Sequence, residues 1–130
     1  MTPDESEPTP PPERGTVEVE LHPQPGVAVV AVRGEHDLRT KAELAEALER
    51  ASAHPHVLVD LSECSFMDSL VIGALVVASK RLEERDGRLE VVIAPEAHTV
   101  HRLAELTRLA TFLPIHAARS AAIASIQPKE

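Results

Sequence analysis

The chain has few aromatic residues and a single cysteine. Among its 130 residues there is no tryptophan or tyrosine, and aromatic residues make up only 2%. Because proteins usually hold single-stranded nucleic acid by stacking bases on aromatic rings, such a ligand is not expected. Cys64 has no second cysteine to pair with, which excludes an intramolecular disulfide and a cysteine-based metal cluster. The core must therefore be built from aliphatic residues.

Basic residues and long apolar runs are also scarce. The 13 lysines and arginines are outnumbered by 21 aspartates and glutamates, giving a net charge of −8, which argues against a phosphate-backbone partner. The longest apolar run, residues 70–78, is much shorter than the ~20 residues that span a bilayer. The polar, acidic amino terminus does not resemble a signal peptide. We expect a cytoplasmic protein without a nucleic-acid or membrane partner.

Proline and hydrophobic patterning divide the chain into a tail and one domain. Residues 1–14 are rich in proline and acidic residues, which predicts a disordered tail, and residues 15–127 form a single domain. Within the domain, short β-branched or alternating runs predict strands and amphipathic runs predict helices. The predicted strands cover 16–21, 27–32, 57–59, 89–94 and 111–115, and the predicted helices cover 41–50, 70–85, 97–108 and 117–126.

The order of these elements predicts the fold class. Strands that alternate with helices indicate right-handed crossovers and parallel pairing. The first two strands, without a helix between them, add one antiparallel edge. We therefore expect an α/β fold with a mixed, mostly parallel sheet of about five strands and four helices. Three segments, 34–40, 63–70 and 94–97, should meet at the carboxyl ends of the parallel strands, where such folds place their sites.

Two helix ends carry specific expectations. Thr40, followed three residues later by Glu43, predicts a capping box. Asp86-Gly87 predicts a helix end with the glycine in the left-handed conformation.

The junction Asp68-Ser69 is the first candidate site. A polar turn there joins a predicted strand to the start of a long helix, where unpaired N–H groups and the helix dipole favour an anion. A phosphate on Ser69 would face those donors. Either residue could instead be an ordinary N-cap, which is common and stabilises a helix by ~1 kcal/mol.

Asp37 is the second candidate, at the same predicted end of the sheet. Together with Asp68 it could hold a hydroxyl group, or Mg²⁺ brought in by a nucleotide. Alternatively, Asp37 caps the next helix. Histidine pairs without further ligands at suitable spacing make no metal site, and no catalytic or phosphate-loop motif is present, so the residues predict neither an enzyme nor a resident cofactor.

Residues 57–69, which read VLVDLSECSFMDS, resemble the central motif of the STAS domain family. The similarity is greatest to bacterial anti-sigma factor antagonists. Residues 34–38, Gly-Glu-His-Asp-Leu, are similar to an earlier Gly-Glu-x-Asp-Leu element of that family. The resemblance covers about residues 16–126 and implies a mixed sheet with helices mainly on one side.

The resemblance also implies a mechanism, called partner switching. The unphosphorylated domain binds an anti-sigma factor, itself a serine kinase of the histidine-kinase ATPase type, and so releases a sigma factor. The kinase phosphorylates the serine after the motif aspartate, which is Ser69 here, and a phosphatase reverses the modification. The expected partner-binding residues surround this serine: Asp37, Asp68, Ser69, Leu70, Val71 and Gly73. The alternative is a sensor or scaffold module of the same fold that binds a small ligand or a signalling assembly without phosphorylation of Ser69.

The residues after Ser69 depart from the family pattern. The family usually continues Ser-Ser/Thr-Gly-Leu-Gly, whereas this chain reads Ser69-Leu70-Val71-Ile72-Gly73. We expect Leu70 and Val71 to add an apolar patch on the first helical turn, to favour a more apolar partner and to slow phosphorylation of Ser69. Replacing them with serine and glycine should then speed phosphorylation.

Overall fold

The computed structural model describes residues 14–126, so residues 1–13 of the predicted tail and the last four residues lie outside it. The strands are β1 (Thr16–Leu21), β2 (Val27–His36), β3 (His56–Met67), β4 (Arg88–Val92) and β5 (Ile115–His116). The helices are α1 (Lys41–Ala51), α2 (Ser69–Glu83), α3 (His98–Leu106) and α4 (Arg119–Ser125), with a 3-10 turn at Leu109–Thr111. The predicted order of elements is confirmed.

The five strands form one mixed sheet in the order β1-β2-β3-β4-β5. β1 runs antiparallel to β2, and every other neighbouring pair is parallel. This confirms the predicted α/β fold class, including the antiparallel edge supplied by the first hairpin. The carboxyl ends of β2, β3 and β4 therefore lie at the same edge of the sheet.

The two faces of the sheet are covered unequally. Alternate residues of β2, β3 and β4, such as Val30, Val59 and Val91, form the larger core with α1, α2 and α3. On the opposite face, α4 packs on a small cluster that includes Leu58 and Ala122. The position of the three larger helices on one face leaves their amino-terminal turns beside the carboxyl ends of the strands.

β3 is longer than its sequence predicts. We expected a polar turn before Asp68, but the strand continues to Met67 and pairs with the end of β2. Two register shifts interrupt this pairing, between Ala31 and Arg33 and between Gly34 and Glu35. Because such irregularities break strict alternation, the segment looks like a turn in the sequence while its backbone still pairs.

Both predictions about helix ends need correction. Thr40 makes no side-chain capping bond to α1, so the capping box is wrong. After α2 the left-handed residue is Asp86, with φ of 61°, and not Gly87. Gly87 is instead required by close packing, because a β-carbon there would lie 2.8 Å from both the Leu82 side chain and the carbonyl oxygen of Pro55.

The last strand is also shorter than predicted. Part of the segment expected to form it, residues 111–115, belongs to the 3-10 turn, and β5 keeps two residues at the edge of the sheet. Proline at 114 fits this edge position, because it has no N–H group to donate within a sheet. None of the helices between residues 14 and 126 has the length and apolar character needed to cross a membrane.

Candidate functional site

The candidate site forms where β2 and β3 end side by side. His36 and Met67 are their last paired residues, and the Asp68 N–H donates to the His36 carbonyl oxygen at 3.2 Å. This hydrogen bond joins the loop that follows β2 to the residue that precedes α2. The structure thus brings together the loop carrying Asp37 and the junction Asp68-Ser69, as the strand order predicts.

Asp68, rather than Ser69, caps α2. The Asp68 backbone is extended, and its Oδ1 atom accepts a hydrogen bond from the Val71 N–H at 3.2 Å. Ser69 is the first residue of the helix and is exposed. Its hydroxyl makes no hydrogen bond within residues 14–126. The capping interpretation therefore applies to Asp68 and not to Ser69.

The exposed face of α2 next to Ser69 is apolar. Leu70 is 49% exposed and Val77 is 50% exposed, and Gly73 lies between them on the same helical face. We call Leu70, Gly73 and Val77 the α2 stripe. A β-carbon added at Gly73 would have no protein atom within 4 Å, so nothing in the described structure requires a glycine there.

Val71 does not belong to this surface. Its side chain is completely buried in the core beneath α2, whereas we expected it to share an exposed apolar patch with Leu70. The expectation fails because one helical step turns the side chain by about 100°, from the solvent side of α2 toward the sheet. The apolar surface at the first turn therefore comes from Leu70 alone.

Asp37 is already paired with a residue that we did not predict. Its carboxylate accepts hydrogen bonds from the backbone N–H of Arg39 at 2.8 Å and from the Arg39 guanidinium at 3.1 Å. The side-chain hydrogen bond from Arg39 lowers the pKa of Asp37. This pair leaves Asp37 less available for the hydroxyl or Mg²⁺ contact considered from the sequence. No group of three or more potential metal ligands occurs in the part of the chain that the structure describes.

A buried polar pair beneath the site is a second feature that sequence reasoning missed. His36 is fully buried, and its Nδ1 atom lies 2.9 Å from the Oγ1 atom of Thr40, which is itself 1% exposed. The available signal was a histidine at the end of a buried strand, four residues before a threonine. We assigned that threonine to a helix cap instead.

An open cleft of about 410 Å³ lies at the same end of the sheet, between β3 and the start of α3. Its lining comes from residues 62–65 and 96–100. Cys64 borders it but is buried, with its thiol directed to the Phe66 carbonyl oxygen at 3.4 Å. Burial raises the pKa of the Cys64 thiol to about 11, which disfavours a nucleophilic role.

The fold and the site together define a class of domain: a mixed sheet with an exposed serine at the start of a helix, directly after a capping aspartate. A family model described as "Mlab, STAS domain" matches residues 19–114. The chain therefore belongs to the STAS domain family.

Known proteins with similar sequences or structures carry related names. An anti-sigma-B factor antagonist from Listeria monocytogenes is 34% identical over 88 residues, covering 66% of this chain and 75% of its own. The crystal structure of an anti-sigma factor antagonist from Mycobacterium paratuberculosis has a TM-score of 0.78 at 28% identity, covering 88% of this chain and 96% of its own. The Bacillus cell fate determinant SpoIIAA in its phosphorylated form shares the fold, with a TM-score of 0.65 at 19% identity and coverage of 86% and 100%.

Proposed function

We propose that this protein is an anti-sigma factor antagonist whose binding to an anti-sigma factor is switched off by phosphorylation of Ser69. The observation that carries this proposal is that the first residue of α2, Ser69, is not the residue that caps the helix. Asp68 caps the helix, and the adjacent Ser69 presents a hydroxyl that the described structure does not use. The names of the relatives support the binding partner, and the phosphorylated form of a protein with the same fold supports the modification.

The expected contact surface combines Ser69 with the α2 stripe, Asp37 and Asp68. When Ser69 is unphosphorylated, this surface offers the exposed apolar side chains of Leu70 and Val77 and, at Gly73, room for the backbone of another protein to approach closely. A phosphate on Ser69 would add a charge of about −1.5 to −2 to this surface. Binding would then require removing a dianion from water beside the carboxylate of Asp68, which opposes association by both repulsion and desolvation.

The proposed partner is an anti-sigma factor of the serine-kinase type, and a phosphatase would restore the unphosphorylated state. The protein itself would be a regulator without enzymatic activity and without a cofactor, acting in the cytoplasm. Its acidic net charge of −8 suits a partner with a basic rim around its contact surface.

The test is capture of partners from cell extract with wild-type protein, Ser69→Ala and Ser69→Asp. We expect an anti-sigma factor kinase to bind the first two and to be lost with Ser69→Asp. Ser120→Asp is the matched control. Ser120 is exposed on α4, so an aspartate there adds the same charge away from the site. With the purified kinase and ATP, phosphate should enter wild-type protein and not Ser69→Ala. Incorporation at another residue, or equal capture by Ser69→Asp, would refute the switch.

The effect of Leu70 on phosphorylation can be tested by itself. We propose that its exposed side chain slows modification of the preceding serine, so Leu70→Ser should speed phosphorylation by the same kinase. The paired change Val71→Gly is unsuitable, because it would remove a buried side chain worth about 1.5–3 kcal/mol and place a glycine, with its lower helix propensity, in the first turn of α2. Equal rates for wild type and Leu70→Ser would contradict this role.

The second candidate function is a sensor or scaffold module that works without phosphorylation of Ser69. The open cleft between β3 and α3 favours it, since it offers hydroxyl groups from Ser62, Ser65 and Thr99 to a small polar ligand. Under this alternative, the same partner would bind wild type and Ser69→Asp equally, and addition of kinase and ATP would not release it.

A further inference from the structure

The buried pair of His36 and Thr40 connects the two halves of the site. The His36 Nε2 atom lies 2.9 Å from the carbonyl oxygen of Arg33, which can only accept, so Nε2 carries the hydrogen. The Nδ1 atom lies 2.9 Å from the Oγ1 atom of Thr40, and the Thr40 hydroxyl also lies within hydrogen-bonding distance of the Asp37 carbonyl oxygen, at 3.3 Å. Both ring nitrogens are thus engaged, in a position with no exposure to solvent.

Thr40 connects this ring to the loop that carries Asp37. The Asp37 N–H donates to the Thr40 Oγ1 atom at 3.3 Å, and the Thr40 N–H donates back to the Asp37 carbonyl oxygen at 3.1 Å. The carbonyl oxygen of His36 accepts a hydrogen bond from the N–H group of Asp68, the residue before Ser69. One histidine therefore contacts both segments of the site, the first through its ring and the second through its carbonyl group.

The amino-terminal arm limits the movement of the ring. A β-carbon at Gly15 would collide with the imidazole of His36, so the backbone of Gly15 passes directly against it. The backbone of Arg14, the preceding residue, forms an isolated β-bridge with Glu35 of β2, and its side chain forms an ion pair with Glu43 of α1. These contacts place the imidazole between the arm and the loop, where Thr40 is the partner of its Nδ1 atom and the Arg33 carbonyl oxygen is the partner of Nε2.

We infer that His36 and Thr40 are positioning residues for partner recognition, which hold Asp37 at a fixed place relative to Ser69. This inference rests on the proposed function, because it concerns the same contact surface. Neither side chain is exposed enough to touch a partner, so both act through Asp37 and its loop. A general contribution to stability is the competing explanation.

Thr40→Val removes the hydroxyl while keeping the shape of the side chain, and Thr40→Ser keeps the hydroxyl. We expect Thr40→Val to weaken binding to the purified anti-sigma factor about tenfold, as loss of one buried hydrogen bond would. Thr40→Ser should bind within about twofold of wild type. Thr107→Val is the matched control, because its hydroxyl donates at 2.8 Å to the Leu103 carbonyl oxygen at the end of α3. An equal loss of affinity in Thr107→Val would overturn the inference.

A double-mutant cycle separates positioning from general stability. If Thr40 acts through Asp37, Thr40→Val should have less than about a twofold effect on binding when Asp37→Asn is already present. A purely structural role predicts the same tenfold loss in both backgrounds, and that result would overturn the inference. Should Thr40→Val fail to fold, the Thr40→Ser and Thr40→Ala pair isolates the hydroxyl in the same cycle.

Amide hydrogen exchange tests the same pair without any partner. Thr40→Val should speed exchange at the amides of Asp37 and Asp68, while Val91, whose N–H bonds to Pro114 in the sheet, stays at its wild-type rate. Unchanged exchange at both aspartates would overturn the positioning role. If wild-type protein binds no anti-sigma factor, the proposed function fails, and the exchange measurement still decides whether the pair orders the loop.

Discussion

Gly73 gives the sharpest test of the proposed contact surface, because its replacement should raise stability and lower binding. Glycine inside a helix is less favourable than alanine by about 0.5–1 kcal/mol. Gly73 lies within α2, and an added β-carbon would meet no atom of the described structure within 4 Å. Gly73→Ala should therefore stabilise the protein by about 0.5–1 kcal/mol, which is about 2–5 °C in Tm for a domain of this size.

The same methyl group should interfere with a partner. If a partner backbone packs against Gly73, the added group overfills a close contact, and such overpacking costs about 1–3 kcal/mol. This corresponds to a loss of binding of about fivefold to more than a hundredfold. The residue would then be kept for recognition at a small loss of stability.

Urea denaturation and calorimetry measure the stability change, and titration with the purified anti-sigma factor measures the binding change. Ala45→Gly on the exposed face of α1 is the control, since it should lower stability by a similar amount and leave binding unchanged. Gly73→Ala that is more stable and binds as tightly as wild type would show that no partner approaches this face. A less stable variant would refute the reasoning about the helix itself.

Three further predictions concern other residues. Asp68→Ala should destabilise the protein by about 1 kcal/mol in urea denaturation through loss of the α2 cap, whereas Asp68→Asn should retain most of the stability. Burial raises the pKa of Asp60, but hydrogen bonds from Ser62 and Arg119 outweigh it and lower the pKa overall. The stability that this provides is complete above the ordinary aspartate pKa of about 3.9 and is lost as the pH falls further. The free energy of unfolding, measured by denaturation at pH 6 and at pH 3, should therefore differ less between the two pH values in Arg119→Gln than in wild type. An unchanged difference would contradict the assignment. Cys64, with its pKa raised to about 11, should react with a thiol reagent at pH 7.5 only in urea, and rapid labelling of the native protein would show that it is accessible.

Hydrophobic patterning predicted the fold well where periodicity was strong. The run from Val27 to Val32 and the leucines of α1 identified a buried strand and an amphipathic helix, and both occur in the structure. Prediction failed where backbone pairing overrides side-chain pattern. The end of β3 has the sequence of a polar turn, because register shifts against β2 break the alternation of apolar and polar residues. In β5, two residues pair with β4 at the edge of the sheet, whereas most of the segment predicted as the last strand does not pair.

The candidate site was only partly readable for a similar reason. A motif identified Ser69 and Asp68, since these residues are adjacent in the chain. The bidentate contact between Arg39 and Asp37 was not predicted, because the same residues could also form a helix cap. The pair formed by His36 and Thr40 was missed because the local sequence pattern does not show that both side chains are buried.

Local periodicity and residues next to one another were enough to predict the order of the elements, the class of the fold and the serine at the start of α2. Which neighbours of that serine are exposed depends instead on how α2 packs in the tertiary structure. Leu70 and Val71 are adjacent and equally apolar, yet packing of α2 against the sheet buries Val71 and leaves Leu70 exposed. The same packing makes Asp68 the cap of α2 and leaves the Ser69 hydroxyl without a hydrogen bond within residues 14–126, because the core beneath a helix fixes its rotation about its axis.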